Sequence, residues 1–163
     1  MKIKPENLVK HLQNPEHREL ILETMSMVLE ADLKYQKNGV AFSSESIVRN
    51  YLTNKLANSD VELFAVLYLD SQHRLIEYRH EFTGTINSAN VYPRNIMKSA
   101  IELNASAVIF SHNHPSGNLK VSKSDQHITR KLTEVLTHID VRVLDHIIVT
   151  KNGTHSMAQF GEM

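Results

Sequence analysis

Apolar residues recur every three or four positions along two early stretches, and that spacing predicts two helices. Over residues 15–37 the stripe is Leu20, Ile21, Met25, Val28, Leu29 and Leu33, opened by Asn14-Pro15, an N-cap followed by proline at the first helical position. Met25 and Met27 read as core filling on that helix, and Lys37-Asn38-Gly39 supplies a glycine to close it. Ser43-Ser44-Glu45-Ser46 starts the second helix, which runs to about Asn58 through Ile47, Val48, Tyr51, Leu52 and Leu56.

The pattern then changes period. Glu62–Leu69 (ELFAVLYL) is a dense apolar and aromatic run, followed by the turn residues Asp70-Ser71-Gln72 and a second strand, Leu75–Thr83, closed by Gly84. Val91-Tyr92-Pro93-Arg94 leads into a third helix with Ile96, Met97, Ala100, Ile101 and Leu103 on one face. Ala107–Phe110 is a short, wholly apolar strand of the kind buried on both faces. Ser122–Leu136 reads as a helix, Val141–Val149 as a strand, and Asn152-Gly153 as a hairpin turn returning Ser156–Phe160 along the sheet edge. Helices alternating with buried strands predict an α/β fold, a mixed β-sheet flanked by helices. No repeat or low-complexity segment interrupts it.

Composition narrows the class. The 163 residues suffice for one domain with a sizeable core, and 41% apolar with 22% charged residues is ordinary for a globular protein. Eighteen basic residues balance eighteen acidic ones, so no global field draws the chain to nucleic acid or an anionic membrane. A local patch of Lys120, Lys123, Arg130 and Lys131 remains. The chain has no cysteine, which removes disulfides, thiolate chemistry and the ligands of most structural zinc sites. The start, MKIKPENLVKHLQ, is too polar for a secretory signal, and no run reaches membrane-spanning length, so a cytoplasmic protein is expected.

The chemistry concentrates in SHNHPSGNLKVSKSD, residues 111–125. Residues i and i+2 of a strand face the same way, so His112 and His114 project together from the end of the apolar run. Asp125 follows in the first turn of the next helix. Two imidazoles and a carboxylate offer three ligands to a divalent metal and leave a fourth position for water, the coordination of a catalytic zinc. Histidines beside a Pro-Ser-Gly turn also fit a plain polar loop. Likewise Ser122-Lys123-Ser124-Asp125 has the spacing of a capping box, which starts many helices without function. A zinc hydrolase needs a general base, and Glu62, opening the first strand, is the candidate; an ordinary solvated acid at a strand end is the other reading. Asp145-His146 fits either a pair that orients the site or a buried, hydrogen-bonded histidine, and no role is assigned to it. His127 and His138 are expected to face solvent.

An upstream Glu, then H-x-H-P, then S-x-x-D resembles the JAMM motif of MPN-type (JAB) metalloproteases. More closely, ELFAVLYLDSQHRLI, GTINSANVYPRNIMKSAIELNASAVIFSHNHPSG, SKSDQHITRKL and VRVLDHIIVT resemble the RadC family over about the last hundred residues. The fold this implies is three-layered, a mixed β-sheet between helices with an MPN/JAB (cytidine-deaminase-like) core. It implies residues 1–42 as a helical N-terminal extension and residues 43–163 as the RadC-like MPN/JAB domain. It further implies Zn2+ held by His112, His114 and Asp125, Glu62 as the acid that handles the water's proton, and Ser122 as a stabiliser of the oxyanion. The reaction implied is metal-assisted hydrolysis of an amide or isopeptide bond in a protein or peptide substrate. Val121 stands where the family more often has proline. Longer members carry a helix-hairpin-helix region thought to contact DNA; such hairpins need glycines, and the first glycine here is Gly39, so that region is expected to be missing. The alternatives are a repair- or recombination-associated nucleic-acid binder, which neutral charge does not favour, and a binding module whose metal serves only structure. A nucleobase deaminase is disfavoured because its Cys ligands do not exist here.

Overall fold

The computed structural model describes residues 14–35, 45–84 and 91–163. The helix cap at Lys37-Asn38-Gly39, the helix start at Ser43-Ser44 and the domain boundary after residue 42 lie outside the described residues. Among the described residues nine elements follow one another: α1 (Pro15–Tyr35), α2 (Glu45–Leu56), β1 (Leu63–Leu69), β2 (Leu75–Thr83), α3 (Pro93–Glu102), β3 (Ala107–Asn113), α4 (Lys123–Thr137), β4 (Arg142–Thr150) and β5 (Gly153–Ser156). The strands form one mixed sheet in the order β2-β1-β3-β4-β5. The β3–β4 pair is parallel and the other three are antiparallel, with α4 crossing between the two parallel strands.

Helices cover both faces, as an α/β sheet requires. On one face Ala65, Leu67, Leu69, Ala107, Ile109, Ile147 and Val149 pack against Val48, Tyr51, Leu52 and Leu56 of α2. On the other, Phe64, Val66, Tyr68, Val108 and Phe110 meet Ile96 and Ala100 of α3 and Ile128, Leu132 and Leu136 of α4. Odd-numbered residues of β3 therefore belong to the α2 face and even-numbered ones to the α4 face.

Three expectations need correction. β3 does not stop at Phe110: it runs on through the buried polar residues Ser111, His112 and Asn113. Met25 and Met27 are not core filling but 48% and 67% exposed, as are Leu20 and Val28 at 61% and 63%. The apolar positions of α1 spread over more of its circumference than one stripe against α2 can bury. The last strand is Gly153–Ser156, not Ser156–Phe160. The hairpin is so tight that pairing resumes at Gly153 opposite Thr150, and the Asp145 carboxylate then captures Ser156 Oγ (2.6 Å) and the Ala158 N–H (3.0 Å), turning the chain. Among the described residues no helix is long and apolar enough to cross a membrane.

Truncating Phe110, which is 0% exposed, is expected to cost about 3–5 kcal/mol. Met27→Ala on the exposed side of α1 should stay within about 0.5 kcal/mol. Urea denaturation of the two variants, side by side, checks the contrast.

Candidate metal centre

Strand β3 carries His112 inside its last turns of pairing and His114 just beyond its end, where the His114 N–H still bonds the Val149 carbonyl at 2.9 Å. The chain then reverses through Pro115-Ser116-Gly117, closed by the Gly117 N–H on the His114 carbonyl (3.0 Å). Gly117 takes φ +77°, a left-handed conformation that favours glycine, and proline sits where such a turn prefers it. The reversal returns the Asn118 carbonyl to within 2.7 Å of His114 Nδ1. A carbonyl can only accept, so Nδ1 holds a hydrogen and a neutral His114 has its lone pair on Nε2.

Helix α4 delivers the carboxylate. Ser122 caps it, with Oγ accepting the Asp125 N–H (3.1 Å) while Asp125 Oδ2 accepts the Ser122 N–H (2.7 Å), a complete capping box. The same carboxylate faces the histidines: Oδ1 lies 3.3 Å from His112 Nε2 and Oδ2 lies 3.6 Å from His114 Nε2. The two Nε2 atoms are 2.9 Å apart. Donors at tetrahedral zinc, about 2.0–2.1 Å from the ion, stand about 3.3 Å from one another, so the three separations fit one small divalent cation. His112 and Asp125 are buried at 0% and 2% side-chain exposure, and His114 at 16% keeps the cluster open to solvent on its own side. This trio can hold a metal ion.

Electrostatics agree with that reading. Burial would push the Asp125 carboxyl up, but the imidazoles of His112 and His114 set against it outweigh that and hold it well below the usual carboxylate range. The hydrogen bond to Asp125 raises the pKa of His114 against its partial burial, and the charge of Glu62 adds to the rise.

Glu62 is not one of the convergent donors; it lies half-buried immediately before β1, its carbonyl accepting the Gly84 N–H at 2.8 Å. The antiparallel register pairs Phe64 with His112 and Ala65 with Ser111, and continuing it two residues sets Glu62 opposite His114. Asn113 secures that placement. Its Oδ1 accepts the Leu63 N–H (2.7 Å) and its Nδ2 donates to the carbonyls of Val61 (3.0 Å) and Ser59 (3.3 Å), so it grips the chain on both sides of Glu62. Reading the sequence missed Asn113, and the signal was there: it is the residue between the two histidines, on the opposite strand face. It also left His146 unassigned. That side chain is 0% exposed, with Nε2 2.7 Å from His112 Nδ1 and Nδ1 2.6 Å from Thr129 Oγ1. His127 and His138 are exposed on and just after α4.

Fold and donor set together define an α/β domain with a His-His-Asp cluster able to hold a metal ion at the end of its central strands. The chain belongs to the RadC-like JAB domain family, whose model matches residues 42–162. It is 46% identical to a UPF0758 protein of Vibrio cholerae over 146 residues, 90% of this chain and 89% of the relative. A UPF0758 protein of Cellvibrio japonicus is 46% identical over 94% of this chain, and one of Leptothrix cholodnii 48% identical over 74%. The match spans 66% of the Cellvibrio relative's length and 54% of the Leptothrix relative's.

Two outcomes are expected. Asn113→Ala leaves the Leu63 N–H and the Val61 carbonyl without their partner and should cost about 1–3 kcal/mol in urea denaturation. The second concerns pH. A histidine with a raised folded-state pKa contributes stability below its unfolded value of about 6.5 and loses it as pH climbs through the raised value. Metal-free protein therefore loses the His114 contribution in that window, while a metal requires His114 deprotonated. The rise in Tm produced by added zinc should grow from about pH 6 to about pH 8; differential scanning fluorimetry at three pH values reads it.

Proposed function

We propose that this chain is a zinc-dependent metallohydrolase of JAMM type, a peptidase or isopeptidase that cleaves an amide bond in a protein or peptide substrate. The observation that carries the reading is the convergence of His112 Nε2, His114 Nε2 and the Asp125 carboxylate beside solvent, with an acid across the register from His114. These three side chains would hold the zinc. When bound, the ion supplies Lewis acidity and lowers the pKa of a water to about 7. Glu62 takes the proton of the attacking water and passes it to the leaving amine. The Ser122 hydroxyl oxygen already accepts the Asp125 N–H, so its own hydrogen is left to donate to the developing oxyanion. Asp125, held ionised by its neighbours, keeps its negative charge throughout. On this reading residues 43–163 are the hydrolase domain, residues 1–42 precede it, and the protein acts in the cytoplasm.

One observation favours a second reading, contact with nucleic acid in repair or recombination. Lys120, Lys123, Arg130 and Lys131 are all exposed, and no acidic side chain pairs with them among the described residues. Such binding would weaken steeply with salt.

Untagged protein should carry about one equivalent of zinc, with His114→Ala losing it and Glu62→Gln keeping it. Glu62→Gln should lower hydrolysis of peptide and isopeptide substrates by about 100-fold or more. Full activity in Glu62→Gln would remove the general-base role. Zinc uptake by neither protein, even when zinc is offered, would leave a binding module.

A further inference from the structure

His146 lies on β4, one strand away from His112, with Phe64 and Phe110 edge-on to its ring at centroid distances of 5.6 and 5.9 Å. An apolar residue would fill that position without the cost of burying two polar nitrogens. Both nitrogens are nevertheless in use, and the direction of the hydrogens along the row follows from its far end. Thr129 Oγ1 lies 2.6 Å from the main-chain carbonyl of Asp125 and 2.6 Å from His146 Nδ1. The carbonyl can only accept, and Thr129 has one hydroxyl hydrogen, so that hydrogen goes to the carbonyl. Aimed at His146 instead, it would leave two oxygen lone pairs facing each other at 2.6 Å.

His146 Nδ1 must then carry a hydrogen and donate it to Thr129. The ring is fully buried between Phe64 and Phe110, where a charged imidazolium would be costly, so it is neutral and Nε2 is a bare acceptor. At 2.7 Å the partner, His112 Nδ1, has to be the donor. The remaining nitrogen of His112, Nε2, is left with its lone pair, and it is this atom that faces His114 and Asp125. The row therefore runs from one member of the trio, through His146 and Thr129, to the backbone of another.

We propose that His146, backed by Thr129, is the positioning residue that fixes His112 in its Nδ1-protonated tautomer and sets how tightly the trio holds a divalent ion. The proposal rests on the trio being a metal site and is independent of whether the site hydrolyses anything. Fixing a ligand's tautomer and ring orientation through its second nitrogen commonly changes metal affinity by about 10–100-fold.

The test measures zinc affinity by competition with a chromophoric chelator, using the full chain and three variants. His146→Leu, which removes the acceptor, should weaken binding by about 10–100-fold. His146→Gln, whose carbonyl can accept from His112 Nδ1 and whose amide can donate to Thr129, should recover most of the loss. Thr129→Val preserves shape and should shift affinity in the same direction as His146→Leu. Imidazole 15N NMR of zinc-loaded wild-type protein gives a readout that needs no variant: His112 and His146 should both be protonated at Nδ1. His146 protonated at Nε2 would overturn the proposal, as would folded His146→Leu and Thr129→Val binding zinc like wild type. Wild-type protein that takes up no zinc would overturn the metal reading and the proposal with it.

Discussion

The alternation of side chains along β3 is the constraint on which the site depends. Even-numbered residues go to the α4 face, so His112 and His114 meet Asp125 there, and odd-numbered ones go to the α2 face, where Asn113 grips the segment carrying Glu62. One strand end thus gathers the candidate metal donors with one face and anchors the acid with the other. A slip of one residue in the β1–β3 register would exchange the two sets, turning both imidazoles away from α4. The apolar residues from Ala107 to Phe110 hold the register: Ala107 and Ile109 enter one core, Val108 and Phe110 the other, and a shift by one would exchange them.

Backbone carbonyls do for protons what the strand does for positions. The Asn118 carbonyl holds the hydrogen of His114 on Nδ1, and the Asp125 carbonyl directs the Thr129 hydrogen. Neither can donate, so neither contact can invert, and lone pairs are steered toward the carboxylate. Three converging acceptors repel one another unless a cation or a proton lies among them. The opposing pKa shifts of His114 and Asp125 express that demand for positive charge.

Much of this was legible in the sequence. The i, i+2 histidines on a strand end follow from the period of a strand, and S-x-x-D predicts a helix start. The capping and ligand readings of Asp125 turn out to be compatible, since Oδ2 takes the Ser122 N–H while Oδ1 faces His112. What stayed hidden depended on non-local pairing. β3 reads as four residues because periodicity counts Ser111, His112 and Asn113 as loop-like polar residues, although partners from β1 and β4 satisfy them in burial. The link from His146 to His112 depends on the parallel β3–β4 register, which no local pattern encodes. The exposed apolar side of α1 shows the converse, a stripe that a sequence window reads as core without knowing how much surface is offered to it.

The donors and their supports belong to the rigid layers, whereas the side open to solvent belongs to a loop. His112, Asp125, Thr129 and His146 are buried in the α4-facing core, and Asn113 is buried on the other face. His114 and Ser122 look outward, joined by residues 115–121 with Lys120 exposed among them. This loop borders the side of the trio that is open to solvent. Changes in the loop can therefore alter what is admitted at little cost to stability, while changes beneath it disturb the donor geometry and the core together. Val121 belongs to that loop, next to a capping box that is complete without it.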